Sequence, residues 1–443
     1  MSIIELLYNQ SPVTIQNIFC SLKGYLISKR RYNKNFFIQL KKFENKEYDK
    51  QFLLKEFFEK INHITYYKKL FSDYYFDKDS NDIYTEIKKL PILTKNKVKE
   101  DIKLFINPNY SGKVLKAKTS GTTGSGLVFP YSQEMENKQW AIWWRYRRWH
   151  GIDLKMWCGW FGGRTIIPIS CQNPPYWRIN NPCKQIMFSA YHLNNDTVIY
   201  YYNEILKREL RWLHGYPSQL SLLAFAIKEK CLSPLLCVSF ITFGSENLLK
   251  NQKEVIHNIF PNAILRQHYG LSEGVANISE DTNGNFVVDD DFCYVEFIPL
   301  SREKPNLCRI IGTGFSNLAF PLVRYDTGDI AEIEYTLDGK FNIISLDGRK
   351  EDFITLPSGV KLGRLDHIFK SLIAIKEAQI YQKDLYHIDF NIVRGISFNI
   401  QDENDLMKEI RKRIDESVSI KINYVEKISK TSSGKLRLVV SDI

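Results

Sequence analysis

The apolar residues between positions 48 and 71 recur at intervals of three and four, which is the spacing of an amphipathic helix. A second helical start follows at Lys95, after a polar stretch that contains Pro91 and Thr94. We therefore predict that the first hundred residues are mainly helical. The residues that carry the first pattern are Phe52, Leu53, Phe57, Phe58, Ile61 and Ile64.

Strand-like and helical runs alternate along the middle of the chain. Residues 114–118 and 239–243 are short strand-like runs, whereas residues 218–230 have the length and composition of a helix. Alternation of this kind is typical of α/β layers. We expect one large domain that extends to about residue 347.

The pattern changes after residue 348. Residues 352–359 resemble a turn-forming β segment, and residues 420–425 alternate between apolar and polar. Between them, residues 403–414 place three apolar side chains on one helical face. The sequence thus predicts an α/β protein with a large multi-layer N-terminal domain, residues 1–347, and a small α+β C-terminal domain, residues 348–443.

Composition excludes several classes of protein. At 44% hydrophobic and 25% charged residues, the chain is neither disordered nor repetitive. No uncharged apolar run approaches the roughly 20 residues of a membrane-spanning helix, and Glu5 stands where a signal peptide would be basic. We expect a cytoplasmic protein without a transmembrane segment. The eight cysteines form no C-x-x-C pair, so we expect buried thiols rather than a zinc or disulfide framework.

The net charge of +11 is concentrated near the N-terminus, where residues 1–104 hold 20 basic and 13 acidic residues. Such a region could contact nucleic acid or an anionic membrane face. Because its charges are mixed in sign and interleaved with aromatics, we expect a solvated helical surface and no nucleic-acid partner, and we leave peripheral membrane contact open. Residues 140–149 combine three arginines with five aromatics; their helical spacing favours an amphipathic wall over a base-stacking surface.

A glycine-rich loop follows the strand-like run at residues 114–118. Residues 118–126 read Lys-Thr-Ser-Gly-Thr-Thr-Gly-Ser-Gly, so that backbone N–H groups and hydroxyls could surround phosphate oxygens. The Gly-Lys-Ser/Thr that ends a Walker A loop is absent, which excludes an ordinary P-loop NTPase. Taken alone, the segment would be interpreted as a polar turn rather than a phosphate site; the motifs that follow it change this interpretation.

Further motifs follow the loop in a fixed order. Together they resemble the adenylate-forming superfamily of acyl-CoA synthetases, peptide-synthetase adenylation domains and luciferases, over nearly the whole chain. The motifs are Gly-Ser-Glu at 244–246, Tyr-Gly-Leu-Ser-Glu-Gly at 269–274, Arg-Tyr-Asp-Thr-Gly-Asp at 324–329, Gly-Arg at 348–349 and Lys-Thr-Ser-Ser-Gly-Lys at 430–435.

Within this superfamily the sequence is most similar to the phenylacetate-CoA ligase branch and to its CapK-like members, which are associated with surface-polysaccharide biosynthesis. The similarity rests on residues 174–178, 189–193 and 214–218. The resemblance implies that the small C-terminal domain is mobile and carries the lysine used in adenylation. It also implies ATP and Mg²⁺ as cofactors.

The resemblance assigns roles to individual residues. Lys435, Thr123 and Glu273 would be catalytic, and Glu273 would also hold Mg²⁺ beside the α-phosphate. Tyr269 would stack on adenine, Asp329 would accept both ribose hydroxyls, and Arg349 would add a ribose or phosphate contact. The remaining ATP-binding positions are Ser120, Gly121, Thr122, Thr123 and Gly124 at the phosphates, Gly244, Ser245 and Glu246 along the base edge, and Gly270 and Ser272 beside Tyr269.

These residue types suit the chemistry. Attack of a carboxylate on the α-phosphate builds negative charge on a five-coordinate phosphorus, so the catalyst must supply cations and hydrogen-bond donors rather than a nucleophile. Two positions depart from the relatives. Ser125-Gly126 stands where several relatives have Lys and Pro, and Glu351 stands where many carry a hinge aspartate. Whether Glu351 or Asp352 acts as the hinge stays open.

The implied function is that of a ligase which converts a carboxylate and ATP into acyl-AMP and pyrophosphate. The acyl group would then pass to coenzyme A, a carrier-protein thiol or an amine on a sugar. By position, the acyl pocket would include Trp160, Phe161, Arg164, Tyr191 and His214, and the lack of an acidic residue between positions 156 and 170 argues against a simple α-amino acid. The alternative is a catalytically degenerate binding or assembly protein of a polysaccharide-biosynthesis complex.

Overall fold

The computed structural model describes residues 3–46, 48–118, 127–162, 165–168, 170–336, 340–349, 354–357, 361–362, 365–369, 372, 374–414, 416–430 and 436–443. The chain forms two compact units, each built from separated segments. The first unit comprises Met1–Tyr25, Leu154–Gln267 and Gly348–Ile443, and the second comprises Leu26–Asp153 and His268–Asp347. The division into domains 1–347 and 348–443 remains a prediction.

Helices dominate the first hundred described residues, as their apolar spacing predicts. Short 3₁₀ helices occupy Ile102–Phe105 and Leu365–Phe369. The α-helices are α1 Ile3–Gln10, α2 Val13–Arg31, α3 Lys34–Glu44, α4 Lys50–Ile61, α5 Thr65–Asp73, α6 Ile83–Lys89, α7 Lys95–Glu100, α8 Gln133–Trp149, α9 Val198–Lys207, α10 Pro217–Glu229, α11 Lys250–Ile259 and α12 Ile400–Arg411.

Strands follow from residue 114 onward. They are β1 Val114–Lys118, β2 Val128–Ser132, β3 Cys158–Phe161, β4 Trp177–Asn180, β5 Gln185–Phe188, β6 Trp212–Gly215, β7 Phe240–Phe243, β8 Ile264–Gly270, β9 Asn277–Glu280, β10 Phe286–Val288, β11 Cys293–Ser301, β12 Lys304–Gly314, β13 Leu322–Tyr335, β14 Phe341–Arg349, β15 Ile354–Thr355, β16 Lys361–Leu362, β17 Ile375–Gln382, β18 His387–Arg394, β19 Ser419–Tyr424 and β20 Val439–Ser441.

In the first unit, a mainly parallel sheet runs in the order β8-β7-β6-β3-β5-β4, in which only β4 is antiparallel to its neighbour. Its strands are short and apolar, and their core continues into α9, α10 and α11 through Leu220, Leu223 and Ile256. Strands buried in this way read as continuous hydrophobic runs. The second sheet of this unit has the order β19-β18-β17-β20 and packs against α12 through Leu406 and Ile410.

The second unit contains an antiparallel meander. The pairs β11–β12 and β12–β13 are antiparallel, as are β8–β9 and β9–β10. Aromatic side chains from α4 and α5, such as Phe57, Phe58 and Tyr67, are completely buried beside residues of β13. Helix α8 begins where the side chain of Ser132 accepts a hydrogen bond from the backbone N–H of Met135.

The expected α/β architecture is therefore confirmed. All eight cysteines are free thiols, but only Cys158, Cys293 and Cys308 are fully buried and Cys231 is exposed, so their expected burial holds for only some of them. Over the described part of the chain, no helix has both the length and the apolar character required to cross a membrane.

Candidate active site

The motif at residues 324–329 lies in an irregular part of strand β13. Two residues of β12, Arg309 and Ile311, pair with Ile330 and Asp326, so residues 327–329 bulge out of the ladder. Gly328 has a φ of +78°, a conformation that glycine adopts without steric cost. A bulge re-aims the side chains that follow it, and here the side chain concerned is that of Asp329.

Each end of the motif is fixed to its surroundings. Arg324 is buried, and its Nε and a terminal nitrogen each donate to the carboxylate of Glu296 at 2.9 Å. In the turn, the hydroxyl of Thr327 donates to the Ile310 carbonyl at 2.8 Å and accepts from the N–H of Asp329 at 3.1 Å. Arg324 thus anchors the strand, and Thr327 holds the backbone of the bulge.

Two residues that the sequence assigns to the nucleotide meet at this bulge. The Tyr269 hydroxyl donates a 2.6 Å hydrogen bond to Oδ2 of Asp329, although the two residues are 60 positions apart. Burial and the neighbouring Asp329 charge raise the pKa of Tyr269 well above its usual value, so the phenol keeps its proton. The bond orients one oxygen of Asp329, whose side chain is 8% exposed.

Glu273 lies in the turn between β8 and β9 and is 7% exposed. Its Oε1 lies 3.5 Å from the hydroxyl of Tyr325, the second residue of the bulged motif. The turn rests directly on β12, because a Cβ added to Gly314 would lie 2.3 Å from the carbonyl oxygen of Gly274. Only glycine at position 314 permits this approach.

A buried ionic cluster supports the same region. Arg145 of α8 donates to Oδ1 of Asp289 at 2.6 Å and also pairs with Asp291. The other oxygen of Asp289 accepts from Asn277 and Ser279 of β9, at 2.6 and 2.8 Å. Burial raises the pKa of Asp291 to about 6. The cluster ties α8 to the strand that follows Glu273.

Candidate acyl-pocket residues lie at the carboxyl ends of parallel strands in the first unit, where open α/β sheets bind ligands. Trp160 of β3 is in register with His214 of β6, and His214 is in register with Thr242 of β7. The His214 Nδ1 lies 2.9 Å from the Thr242 hydroxyl. Tyr191 lies in the loop after β5. Phe161, in contrast, is completely buried and stacks on Phe188, 4.7 Å between ring centroids, so its ring is part of the core.

Gln219 is a candidate that the motifs do not reveal. It lies in the first turn of α10 and is completely buried, yet among the described residues neither atom of its amide has a hydrogen-bond partner. Burying an amide without partners is unfavourable, so a bound water or a ligand is expected to meet these two atoms. The sequence signal is a polar residue directly after Pro217-Ser218 in an otherwise apolar run.

The Gly-Ser-Glu motif has a role that was not expected. The carboxylate of Glu246 accepts hydrogen bonds from the backbone N–H groups of Ser218 and Leu436, both at 3.1 Å. Burial raises its pKa. Gly244 is buried and Ser245 has a φ of +71°. The side chain of Glu246 thus joins the start of α10 to the backbone next in sequence to Lys435.

A second carboxylate binds the C-terminal segment at the other end of α10. Glu229 forms an ion pair with Lys376 of β17 and accepts from the N–H of Ile396 at 2.6 Å and from Asn195 at 2.8 Å. Lys376 and Glu229 are 12% and 6% exposed. Glu229 and Glu246 therefore hold residues 376, 396 and 436 against one helix.

The other sequence-predicted positions are Gly270 and Ser272, which lie between Tyr269 and Glu273, and Arg349, which ends β14. The phosphate-loop residues Ser120, Gly121, Thr122, Thr123 and Gly124 lie outside the described residues, as do Arg164, Glu351, Asp352 and Lys435. Among the described residues there is no group of three or more His, Cys, Asp or Glu side chains that could hold a metal ion.

Known proteins resemble this chain in sequence and in fold. A family model described as the CapK C-terminal domain matches residues 357–442. Protein CapK of Staphylococcus aureus is 26% identical over 99% of this chain and all of its own length. The chain is therefore similar in sequence to CapK over its full length. This confirms the predicted resemblance to CapK.

Solved structures share the fold of this CapK-like chain. A 2-hydroxyisobutyryl-CoA ligase in the postadenylation state, in complex with R3-HIB-AMP, has a TM-score of 0.65 at 15% identity, with 89% of each chain covered. The anthranilate CoA ligase AuaEII in complex with anthranoyl-AMP has a TM-score of 0.52 at 12% identity, covering 80% of this chain and 74% of its own. The fold is that of the adenylate-forming ligases.

Proposed function

We propose that this CapK-like protein is an ATP-dependent carboxylate-activating ligase. A carboxylate oxygen of the substrate attacks the α-phosphorus of ATP, pyrophosphate leaves, and an acyl-AMP mixed anhydride remains. A thiol or an amine then attacks the acyl carbon and releases AMP. The observation that carries the proposal is the 2.6 Å bond between Tyr269 and Asp329, which joins two nucleotide motifs inside an adenylate-forming fold.

The geometry around Asp329 suits a nucleoside. With Oδ2 fixed by Tyr269, the carboxylate is oriented before ribose hydroxyls approach it, and a pre-oriented acceptor loses less entropy on binding. The Tyr269 ring supplies an apolar face for adenine. Arg349, at the end of β14, would add a contact to ribose or phosphate.

Glu273 suits Mg²⁺ bound together with ATP. Magnesium is commonly held by one or two carboxylates that share it with substrate phosphates and water, rather than by a cage of protein ligands. A single, largely buried carboxylate fits that arrangement. When bound, the ion would neutralise phosphate charge as the reaction proceeds.

We also propose the phosphate loop at residues 120–124 as the cradle of the α- to γ-phosphates, and Lys435 as the cation that meets the developing charge. Glu246 and Glu229 support this role for Lys435. They hold the backbone N–H of Leu436, the next residue in sequence, and the side chain of Lys376 on β17.

The acyl acceptor is best sought among thiols. The two solved structures described above are named as CoA ligases, and coenzyme A is therefore the first acceptor to test, before carrier-protein thiols and amino sugars. Trp160, Tyr191, His214 and Gln219 are proposed to contact the acyl group. Since the chain resembles CapK, we propose that the product serves surface-polysaccharide modification in the cytoplasm.

The test is exchange of labelled pyrophosphate into ATP, screened over a panel of carboxylic acids. Catalysis requires exchange with at least one acid. Asp329→Ala should weaken ATP binding severely, and Glu273→Gln should raise the Mg²⁺ concentration needed for half-maximal exchange. No exchange with any acid, together with retained binding to a polysaccharide-assembly protein, would favour the alternative of a degenerate binding protein.

A further inference from the structure

Helix α2 is amphipathic, but its polar face packs against the protein and its apolar face is exposed to solvent. Asn17 Oδ1 accepts from the N–H of Ile179 at 2.9 Å, and the Ser21 hydroxyl donates to the Ile179 carbonyl at 3.2 Å. Ser21 also accepts from the N–H of Asn181 at 3.3 Å, and Gln16 accepts from Arg178. These contacts cover β4, the edge strand of the first-unit sheet.

The inward polarity has a physical cause. An edge strand presents backbone N–H and C=O groups that must be hydrogen-bonded or solvated. Helix α2 supplies them with side-chain partners and approaches closely, since a Cβ added to Gly24 would overlap the Asn180 side chain, 1.9 Å from its Oδ1. The polar face of α2 is therefore explained by its contacts with β4. Those contacts do not require apolar residues on the opposite, solvent-facing side of the helix.

The outward face is nevertheless apolar. Five large side chains of α2 are between 42% and 67% exposed, and at 100° per residue they fall within an arc of about 100°. Lys29 lies in the same arc and Lys23 beside it. The five residues are Ile15, Ile18, Leu22, Tyr25 and Leu26; we refer to them as the outer stripe. A stripe of this kind on a solvated helix marks an interaction surface.

The charge around the outer stripe identifies the partner. The first 104 residues carry both signs of charge, but residues 6–43 contain seven basic residues and no acidic one. Two of the seven, Arg30 and Arg31, pair with Glu136 of α8, and the other five are lysines. We infer that the outer stripe is a membrane contact, which lies in the interface of an anionic lipid bilayer. Apolar side chains would enter the acyl boundary while the lysines reach the headgroups, as in other interfacial helices.

Charge also argues against a second copy of this chain on the same surface. A symmetric contact through the outer stripe would give Lys23 and Lys29 no acidic partner on the facing helix, because α2 contains no Asp or Glu. Anionic lipid supplies the opposite charge to every one of these side chains. The inference does not depend on the proposed reaction.

The experiment uses the full-length chain and sedimentation with vesicles of phosphatidylcholine, with or without 30% phosphatidylglycerol as the probe lipid. The test variant is Ile18→Ser/Leu22→Ser. The matched control is Ile396→Ser/Ile400→Ser, which changes two side chains that are each 71% exposed elsewhere in the same unit. Thermal unfolding of all three proteins verifies the fold.

We expect the parent protein to partition to the anionic vesicles at least tenfold more than to neutral ones. The test variant should lose at least tenfold of that partitioning and the control should keep it. Failure of the parent protein to bind, or equal binding of all three proteins, would overturn the inference. It would also be overturned if the test variant lost self-association in light scattering while no protein bound vesicles, because the partner would then be a second copy.

Discussion

Replacing Tyr269 by phenylalanine tests the central contact of the site. The ring stays in place, and only the hydroxyl that donates to Asp329 at 2.6 Å is lost. A hydrogen bond to a charged group contributes about 1.5–3 kcal/mol. With Asp329 only 8% exposed, water replaces the hydroxyl poorly, so Oδ2 loses the partner that fixes its position.

We expect this loss in the binding of ATP rather than in the chemical step. The ribose 2′- and 3′-hydroxyls neither form nor break a bond when the α-phosphorus reacts, so we expect their contacts to be equally strong in the ground and transition states, and their removal raises KM while kcat is little changed. If the lower figure of about 1.5 kcal/mol is expressed on binding, the KM for ATP in pyrophosphate exchange rises roughly tenfold. The assay varies ATP at a saturating concentration of the best acid.

Tyr67→Phe is the matched control. Its hydroxyl is buried in the same unit and donates to the Pro321 carbonyl at 2.8 Å, but Tyr67 belongs to none of the motifs. This variant should lose about 1 kcal/mol of stability and keep the parent KM. An unchanged KM in folded Tyr269→Phe, or equal increases in both variants, would refute the role given to the Tyr269–Asp329 bond.

Four further outcomes follow from the same structure. Lys435→Ala should abolish pyrophosphate exchange yet still transfer the acyl group from synthetic acyl-AMP, and loss of both half-reactions would contradict this division. Glu229→Gln breaks a buried ion pair worth about 3 kcal/mol, so trypsin should cleave residues 348–443 faster; an unchanged rate would show that Glu229 does not hold this segment. Gln219→Leu should raise stability, because a buried unsatisfied amide costs about 1–3 kcal/mol, but lower exchange with the preferred acid; unchanged exchange would remove Gln219 from the site. The raised pKa of Asp291 means that the folded state binds its proton more tightly, so the free energy of unfolding falls as pH rises from about 4 to 6, and Asp291→Asn should remove up to about 3 kcal/mol of that fall in urea titrations.

Local sequence patterns predicted the helices and strands, but not which distant residues each of them contacts. The spacing at residues 140–149 predicted a helix, and α8 is one. That Arg145 would be buried could not be predicted, because its carboxylate partners lie more than 140 residues away. Likewise, no pattern in residues 13–31 shows that the polar side of α2 faces inward, since this depends on the edge strand it covers.

The candidate site shows the same division. The motifs proposed Tyr269, Glu273 and Asp329 as site residues, because each belongs to a short segment with a recognisable order of residues. Their mutual arrangement depends on strand pairing between distant segments and on the bulge in β13. The sequence did not indicate Gln219, and it gave Glu246 a place along the base edge without its contacts to Ser218 and Leu436, because the partners of a buried polar residue are known only from the fold.

The contact between Glu246 and residue 436 determines which substitutions these positions can tolerate during evolution. At residue 436, Glu246 accepts a hydrogen bond from a main-chain N–H, and it accepts a second one from the main-chain N–H of residue 218. Every amino acid except proline supplies such a donor, so the side chains at these two positions can change over generations without loss of the contact. Glu246 has no such freedom, because an aspartate is one methylene shorter and an amide carries no charge. Comparison of many relatives should therefore find an invariant glutamate opposite two variable positions from which proline alone is missing.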